Sequence, residues 1–95
     1  MYVVRYDEPN FTILRFIDKE VIGSLELIEK LDYIVVENIY IDIKHRHKGY
    51  FRQIISYLKT FGTIRCLPLP EHRAKFEHLG FTVYKQVGED IYYQS

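Results

Sequence analysis

The spacing of apolar residues changes character at one place in the chain, and that change constrains the fold more than anything else. Up to residue 43, β-branched and aromatic residues come in short runs broken by polar clusters, which is the pattern of strands and turns. From Phe51 onward, Phe51, Ile54, Ile55, Leu58 and Phe61 fall at i, i+3, i+4, i+7 and i+10, the one-sided stripe of an amphipathic helix. Between the two regimes lies Lys44-His45-Arg46-His47-Lys48-Gly49, a basic stretch without an apolar side chain. The chain therefore builds a sheet first and its first helix afterwards.

Four strands are predicted before the junction, over 2–6, 11–17, 21–29 and 33–43. They are separated by the turn clusters Asp7-Glu8-Pro9-Asn10, Asp18-Lys19-Glu20 and Lys30-Leu31-Asp32. Connections this short favour an antiparallel meander. The fourth run is apolar on both faces and belongs inside the sheet, not at its edge. After the junction a helix is predicted over about 50–61, with Gly62 at its C′ position. A short strand over 63–67 follows, and then Pro68-Leu69-Pro70. Pro70 suits the first turn of a second helix, with Glu71 near its positive end. Phe76 and Leu79 form that helix's inner face and Gly80 stops it. Two closing strands, 81–87 and 91–94, flank the turn Gly88-Glu89-Asp90. The order ββββαβαββ specifies an α/β (α+β) domain with a mixed, mostly antiparallel sheet of six to seven strands and two helices. The strands flanking the first helix should be parallel, through a right-handed crossover. With 95 residues, one domain spanning 1–95 is expected.

Charge and cysteine content remove several function classes. Lys+Arg and Asp+Glu are 13 each, a formal net charge of zero, so nothing draws the whole chain to nucleic acid or to an anionic membrane. The first helix would expose only Arg52, Gln53, Ser56 and Lys59, which is thin for base readout. The N-terminus has neither a basic n-region nor a long apolar run, so no signal peptide or membrane span is expected. The single cysteine, Cys66, is expected to be a buried, inert thiol in a reducing, cytoplasmic setting. His45, His47 and His72 lack a carboxylate or Cys at ligand spacing, so no metal is expected. Tyr92-Tyr93 are expected to pack on the final strand.

The candidate site is the junction itself. Arg46-His47-Lys48-Gly49-Tyr50-Phe51 puts a glycine at the mouth of a helix. Unpaired amides and the positive end of the helix dipole lie there, and successive amides in such a turn cradle phosphate groups. Gly49 admits an anion closely because it lacks a Cβ, and Arg46, Lys48 and Arg52 add positive charge.

Two motifs give this junction a wider meaning. Glu37-Asn38-Ile39-Tyr40-Ile41 followed by Arg46-x-x-Gly49-x-Phe51 resembles the strand and the Arg/Gln-x-x-Gly-x-Gly/Ala loop of the GNAT superfamily of N-acetyltransferases. Phe76-Glu77-His78-Leu79-Gly80-Phe81 is similar to that family's Tyr-Glu-x-Leu-Gly-Phe. The resemblance covers about residues 20–87 and extends to the final strand. It implies acetyl-CoA as cofactor, with the pyrophosphate on the amides of His47, Lys48, Gly49, Tyr50 and Phe51. It also implies that the pantetheine arm pairs with the main chain of Ile39, Tyr40 and Ile41, in a slot between that strand and residues 63–67. The reaction implied is acetyl transfer to an amine, with Glu37 as a water-relayed base whose pKa burial would raise; the alternative for Glu37 is a strand-edge carboxylate, paired with an Arg or exposed to solvent. Three positions depart from the pattern. Phe51 stands where the family has Gly or Ala, and either crowds the cofactor or points into the core. Leu69 stands for an asparagine, and Phe76 for the general-acid Tyr. The family's two N-terminal helices have no counterpart in residues 2–43, which read as strands and turns. An acceptor site left open in this way suits a macromolecular amine, such as one on a protein, and a homodimer is compatible with it. The competing expectation is a non-catalytic GNAT-fold binding module, or an inhibitor of a protein partner.

Overall fold

A computed structural model describes residues 1–95. Its strands are β1 (Tyr2–Asp7), β2 (Thr12–Asp18), β3 (Glu20–Glu29), β4 (Tyr33–Ile41), β5 (Thr63–Cys66), β6 (Thr82–Val87) and β7 (Asp90–Gln94). The helices are α1 (Tyr50–Lys59) and α2 (Arg73–His78), each preceded by a 3-10 turn, Ile43–His45 and Pro70–His72. All seven strands form one sheet in the order β1-β2-β3-β4-β5-β7-β6. β1 to β4 are an antiparallel meander, β4 and β5 are parallel, and β7 lies antiparallel between β5 and β6. The expected element order, strand number and parallel pair are all present. No helix is long and apolar enough to cross a membrane.

Two boundaries differ from the sequence reading by more than one residue. The fourth strand stops at Ile41, not 43, because the Asp42 carboxylate accepts from the Lys44 amide and starts the 3-10 turn. Ile43 consequently faces solvent at 72% exposure. The first helix stops at Lys59, so Phe61 leaves the buried stripe and stacks edge-on against Tyr57 at 5.3 Å. Thr60 caps that end by donating its hydroxyl to the Tyr57 carbonyl, which puts Gly62 in the following turn.

Alternation along the strands sorts the sheet into two unlike faces. Leu14, Phe16, Leu25, Leu27, Ile34, Val36, Ile64, Cys66 and Tyr93 share one face, and Ile54, Ile55 and Leu58 of α1 and Phe76 of α2 join them in a single core. Burying an aliphatic or aromatic side chain of this kind contributes about 1.5–3 kcal/mol. The opposite face, which includes Ile13, Arg15, Ile17, Glu26, Tyr33, Val35, Glu37, Arg65 and Tyr92, is half-buried or exposed.

Candidate active site: a cleft between diverging strands

β4 and β5 run together only from Tyr33↔Thr63 to Val36↔Cys66. β5 then ends in Leu67-Pro68, while β4 continues to Ile41 with a partner on its β3 side alone. The β3–β4 register slips here. Glu26 pairs with Glu37 and Ser24 with Tyr40, so Asn38 and Ile39 both stand opposite Leu25. This is a β-bulge, which bends the bulged strand and increases its twist. Asn38 takes φ +52°, a conformation Asn tolerates better than most residues, and its Nδ2 donates to Glu26 Oε2 at 2.9 Å. Gly23 makes room for the bend, since a Cβ there would overlap the Tyr40 carbonyl oxygen. The diverging strands open a cleft of about 1270 Å³, ample beside the ~300–1,000 Å³ of ordinary small-molecule sites.

The junction loop closes one end of the cleft, and it is tied down from outside. Glu20, the first residue of β3, holds Lys44 Nζ at 3.0 Å and His45 Nε2 at 2.7 Å. Lys44 first, then His45, keeps the Glu20 carboxyl below its usual range. The Tyr50 hydroxyl donates to Asp18 Oδ2 at 3.0 Å, and this bond raises the Tyr50 pKa. Arg46 Nε donates to the Ile41 carbonyl at 2.8 Å, with the guanidinium 5.6 Å from the Tyr40 ring centre. The loop then passes through φ +63° at His47 and +84° at Gly49, the residue that caps α1. The first α1 amide to find a backbone acceptor is that of Gln53, on the Gly49 carbonyl. The amides from His47 to Arg52 have no main-chain partner. A Cβ on Gly49 would meet nothing within 4 Å, so the space above these amides is open. An anionic, phosphate-bearing group fits this arrangement.

The structure brings all but one of the expected site residues to one cleft. Glu37, Ile39, Tyr40, Ile41, Arg46, His47, Gly49, Tyr50 and Phe51 all line it. Lys48 is exposed at the loop. The Tyr50 and Arg46 side chains brace the loop. Phe51 turns inward and packs on Phe76 at 5.3 Å, and Phe76 packs on Phe81 at 5.1 Å. The ring at the last motif position is half-buried against the core and still borders the cleft. Glu37 is exposed, which is the solvent-facing alternative for this carboxylate and not the buried one. It lies on the face no helix covers, and its carboxylate has neither an ion-pair nor a hydrogen-bond partner. Cys66 sits where the strands part, 4% exposed, and burial pushes its thiol pKa up to about 12. Tyr93 packs in the core as expected, but Tyr92 points to the other face and lines the cleft.

Three contributors escaped the sequence reading. Asn38 and Gly23 left a signal, since a turn-former and a glycine inside β runs mark bulges and close approaches. Arg65 left none.

No protein-family profile and no curated protein sequence matches the chain. Solved structures do. The Bacillus subtilis N-acetyltransferase YlbP, in complex with coenzyme A, superposes with a TM-score of 0.72 at 13% identity, over 87% of this chain and 66% of its own. Tetrahymena GCN5 gives 0.78 at 11% identity, over 92% of this chain and 68% of its own. An aminoglycoside 6'-N-acetyltransferase complexed with coenzyme A gives 0.75 at 12%, over 93% and 73%. The chain spans about two thirds of the length of these structures. Strand order, the parallel β4–β5 pair with its divergence, and these superpositions together give the chain the fold of the GNAT N-acetyltransferases.

Proposed function

We propose that the chain is an acetyl-CoA-dependent N-acetyltransferase acting on a primary amine. The observation that carries this reading is the run of unpartnered amides from His47 to Arg52 at the end of the β4–β5 cleft. Acetyl-CoA and coenzyme A are the ligands of several proteins with this fold. When bound, the cofactor supplies an acetyl thioester and a thiol leaving group. The chain's own residues do the rest. The His47–Arg52 amides and the α1 dipole hold the pyrophosphate. The unpartnered side of β4 at Ile39–Tyr40 pairs with the pantetheine arm, next to the Ile41 carbonyl that Arg46 already occupies. Glu37 accepts the amine proton through water. Phe76 has no proton to give, so the acid role falls to solvent. Holding the reactants in line supplies several kcal/mol of the barrier, and one positioned proton acceptor adds about 10²–10⁴-fold. The outcome is a slow enzyme. A cytoplasmic location accords with the lone buried thiol.

Calorimetric titration with acetyl-CoA tests the reading. Binding is expected, weakened by Gly49→Trp and Arg46→Glu. The same titrations are paired with a thiol-release assay on small amines. The buried ring at Phe76 favours a second reading, a binding module that has lost catalysis. Cofactor binding without thiol release selects that module, and no heat at millimolar acetyl-CoA overturns the cofactor site itself.

A further inference from the structure

The far mouth of the cleft, on the sheet face without helices, holds a cation with no counter-charge. Arg65 leaves β5 between two rings, its guanidinium carbon 4.0 Å from the Tyr33 ring centre and 4.6 Å from that of Tyr84. Tyr92 stands edge-on to Tyr84 at 6.3 Å. Arg65 Nε is buried and has no hydrogen-bond partner. Arg73 Nε is similarly buried, but that guanidinium keeps a bond to the Glu89 carbonyl. No hydrogen bond or ion pair engages the Arg65 guanidinium. A buried donor without an acceptor is unfavourable, and the two flanking tyrosine rings hold the guanidinium where it is. Arg65 pairs in register with Val35, and Glu37 is two residues further along β4 on the same face. That separation is about 7 Å of strand.

We propose that this mouth recognises an amine acceptor that also carries a carboxylate, with Arg65 taking the carboxylate and Glu37 facing the ammonium. This rests on the acetyltransferase reading and names its substrate class. A guanidinium fork matches a carboxylate bidentately. Glu26, the neighbouring acid, is already engaged by Asn38, and Lys85 lies over the Tyr92 ring at 5.0 Å. Arg65 and Glu37 are therefore a balanced pair, complementary to a zwitterion and not to a doubly charged phosphate. Tyr33 and Tyr84 fix the guanidinium in place, and Tyr84 and Tyr92 add apolar wall to the same cleft.

The test compares 5-aminopentanoate with pentylamine, and a Gly-Asp amide with a Gly-Asn amide. One arm needs no chemistry: the Arg65 Nε–H resonance is followed by NMR during titration. We expect a saturable shift with 5-aminopentanoate and none with pentylamine. In the second arm KM for 5-aminopentanoate lies at least about tenfold below that for pentylamine, and Arg65→Gln removes the difference while acetyl-CoA affinity holds. If Arg65→Gln fails to fold, Arg65→Lys retains charge without the fork and should lose most of the discrimination. Preference for Gly-Asp over the free amino acid assigns the carboxylate to a peptide, and the reverse to a small metabolite; either supports the site. Equal KM values with a silent Arg65 resonance overturn it. An Arg65 response without thiol release refutes the transferase and keeps the pocket.

Discussion

Within β4, Tyr33–Val36 has strand partners on both sides, whereas Glu37–Ile41 has β3 on one side and the cleft on the other. The first half alternates cleanly, with Ile34 and Val36 in the core. In the second half the bulge at Asn38 breaks that alternation, and Glu37 and Tyr40 end up together on the outer face. One strand thus divides its labour by hydrogen bonding. Where both ladders are closed, its residues hold the fold. Where one ladder is open, main-chain groups and a carboxylate are left free to act.

Substitutions in the two halves should separate stability from function. The largest stability effect belongs to the closed half: Ile34→Ala is expected to cost about 2–5 kcal/mol in urea unfolding, with acetyl-CoA affinity unchanged in the folded fraction. Glu37→Gln is the mirror case. Its unfolding free energy should stay within about 0.5 kcal/mol, while the acetylation rate falls about 100-fold or more and acetyl-CoA affinity holds. Full activity of Glu37→Gln across pH 6–9 with saturating acceptor removes Glu37 as the base. At the boundary, Gly23→Ala pushes a methyl into the Tyr40 carbonyl and should cost about 1–3 kcal/mol. It should also weaken acetyl-CoA binding, because β4 must move. An unchanged affinity would separate the bend from the cofactor slot. Gly49→Ala, forced to φ +84°, should cost about 1–2 kcal/mol and be read out by calorimetry at the loop. The smallest effect is at Cys66. Its thiol is raised from an ordinary value near 9 to about 12, so the folded state holds the proton more tightly. The associated stability is complete below pH 9 and is lost as pH rises from there toward 12. Native Cys66 should resist iodoacetamide at pH 9 and react rapidly once unfolded.

The elements and the loop were readable because each leaves a local mark: the stripe of α1, the turn clusters, Gly49, and Pro70 before α2. The open half of β4 was not, because its state depends on what is absent beside it. Glu37 could be read as a buried base or as an exposed strand carboxylate, and only the lack of a helix over its face decides. Ile43 is β-branched like its neighbours, but the Asp42 cap ends the strand first. Phe51 could be read toward the cofactor or the core, and only the fold shows it packed on Phe76 while bordering the cleft. Arg65 looked like any strand arginine until Tyr33 and Tyr84, distant in sequence, closed around it.

The position of β7 between β5 and β6 also governs how the chain is made. β1 to β4 are successive hairpins and can zip as they leave the ribosome. β6 touches the sheet only through β7, so it has no partner until Asp90–Gln94 has been synthesised. At ~5–20 residues per second, the interval between Cys66 and Asp90 leaves β5 with a bare ladder for about 1–5 s. An unpaired edge of that kind is where a nascent chain captures a neighbour. A pause in translation before β7 should therefore raise aggregation.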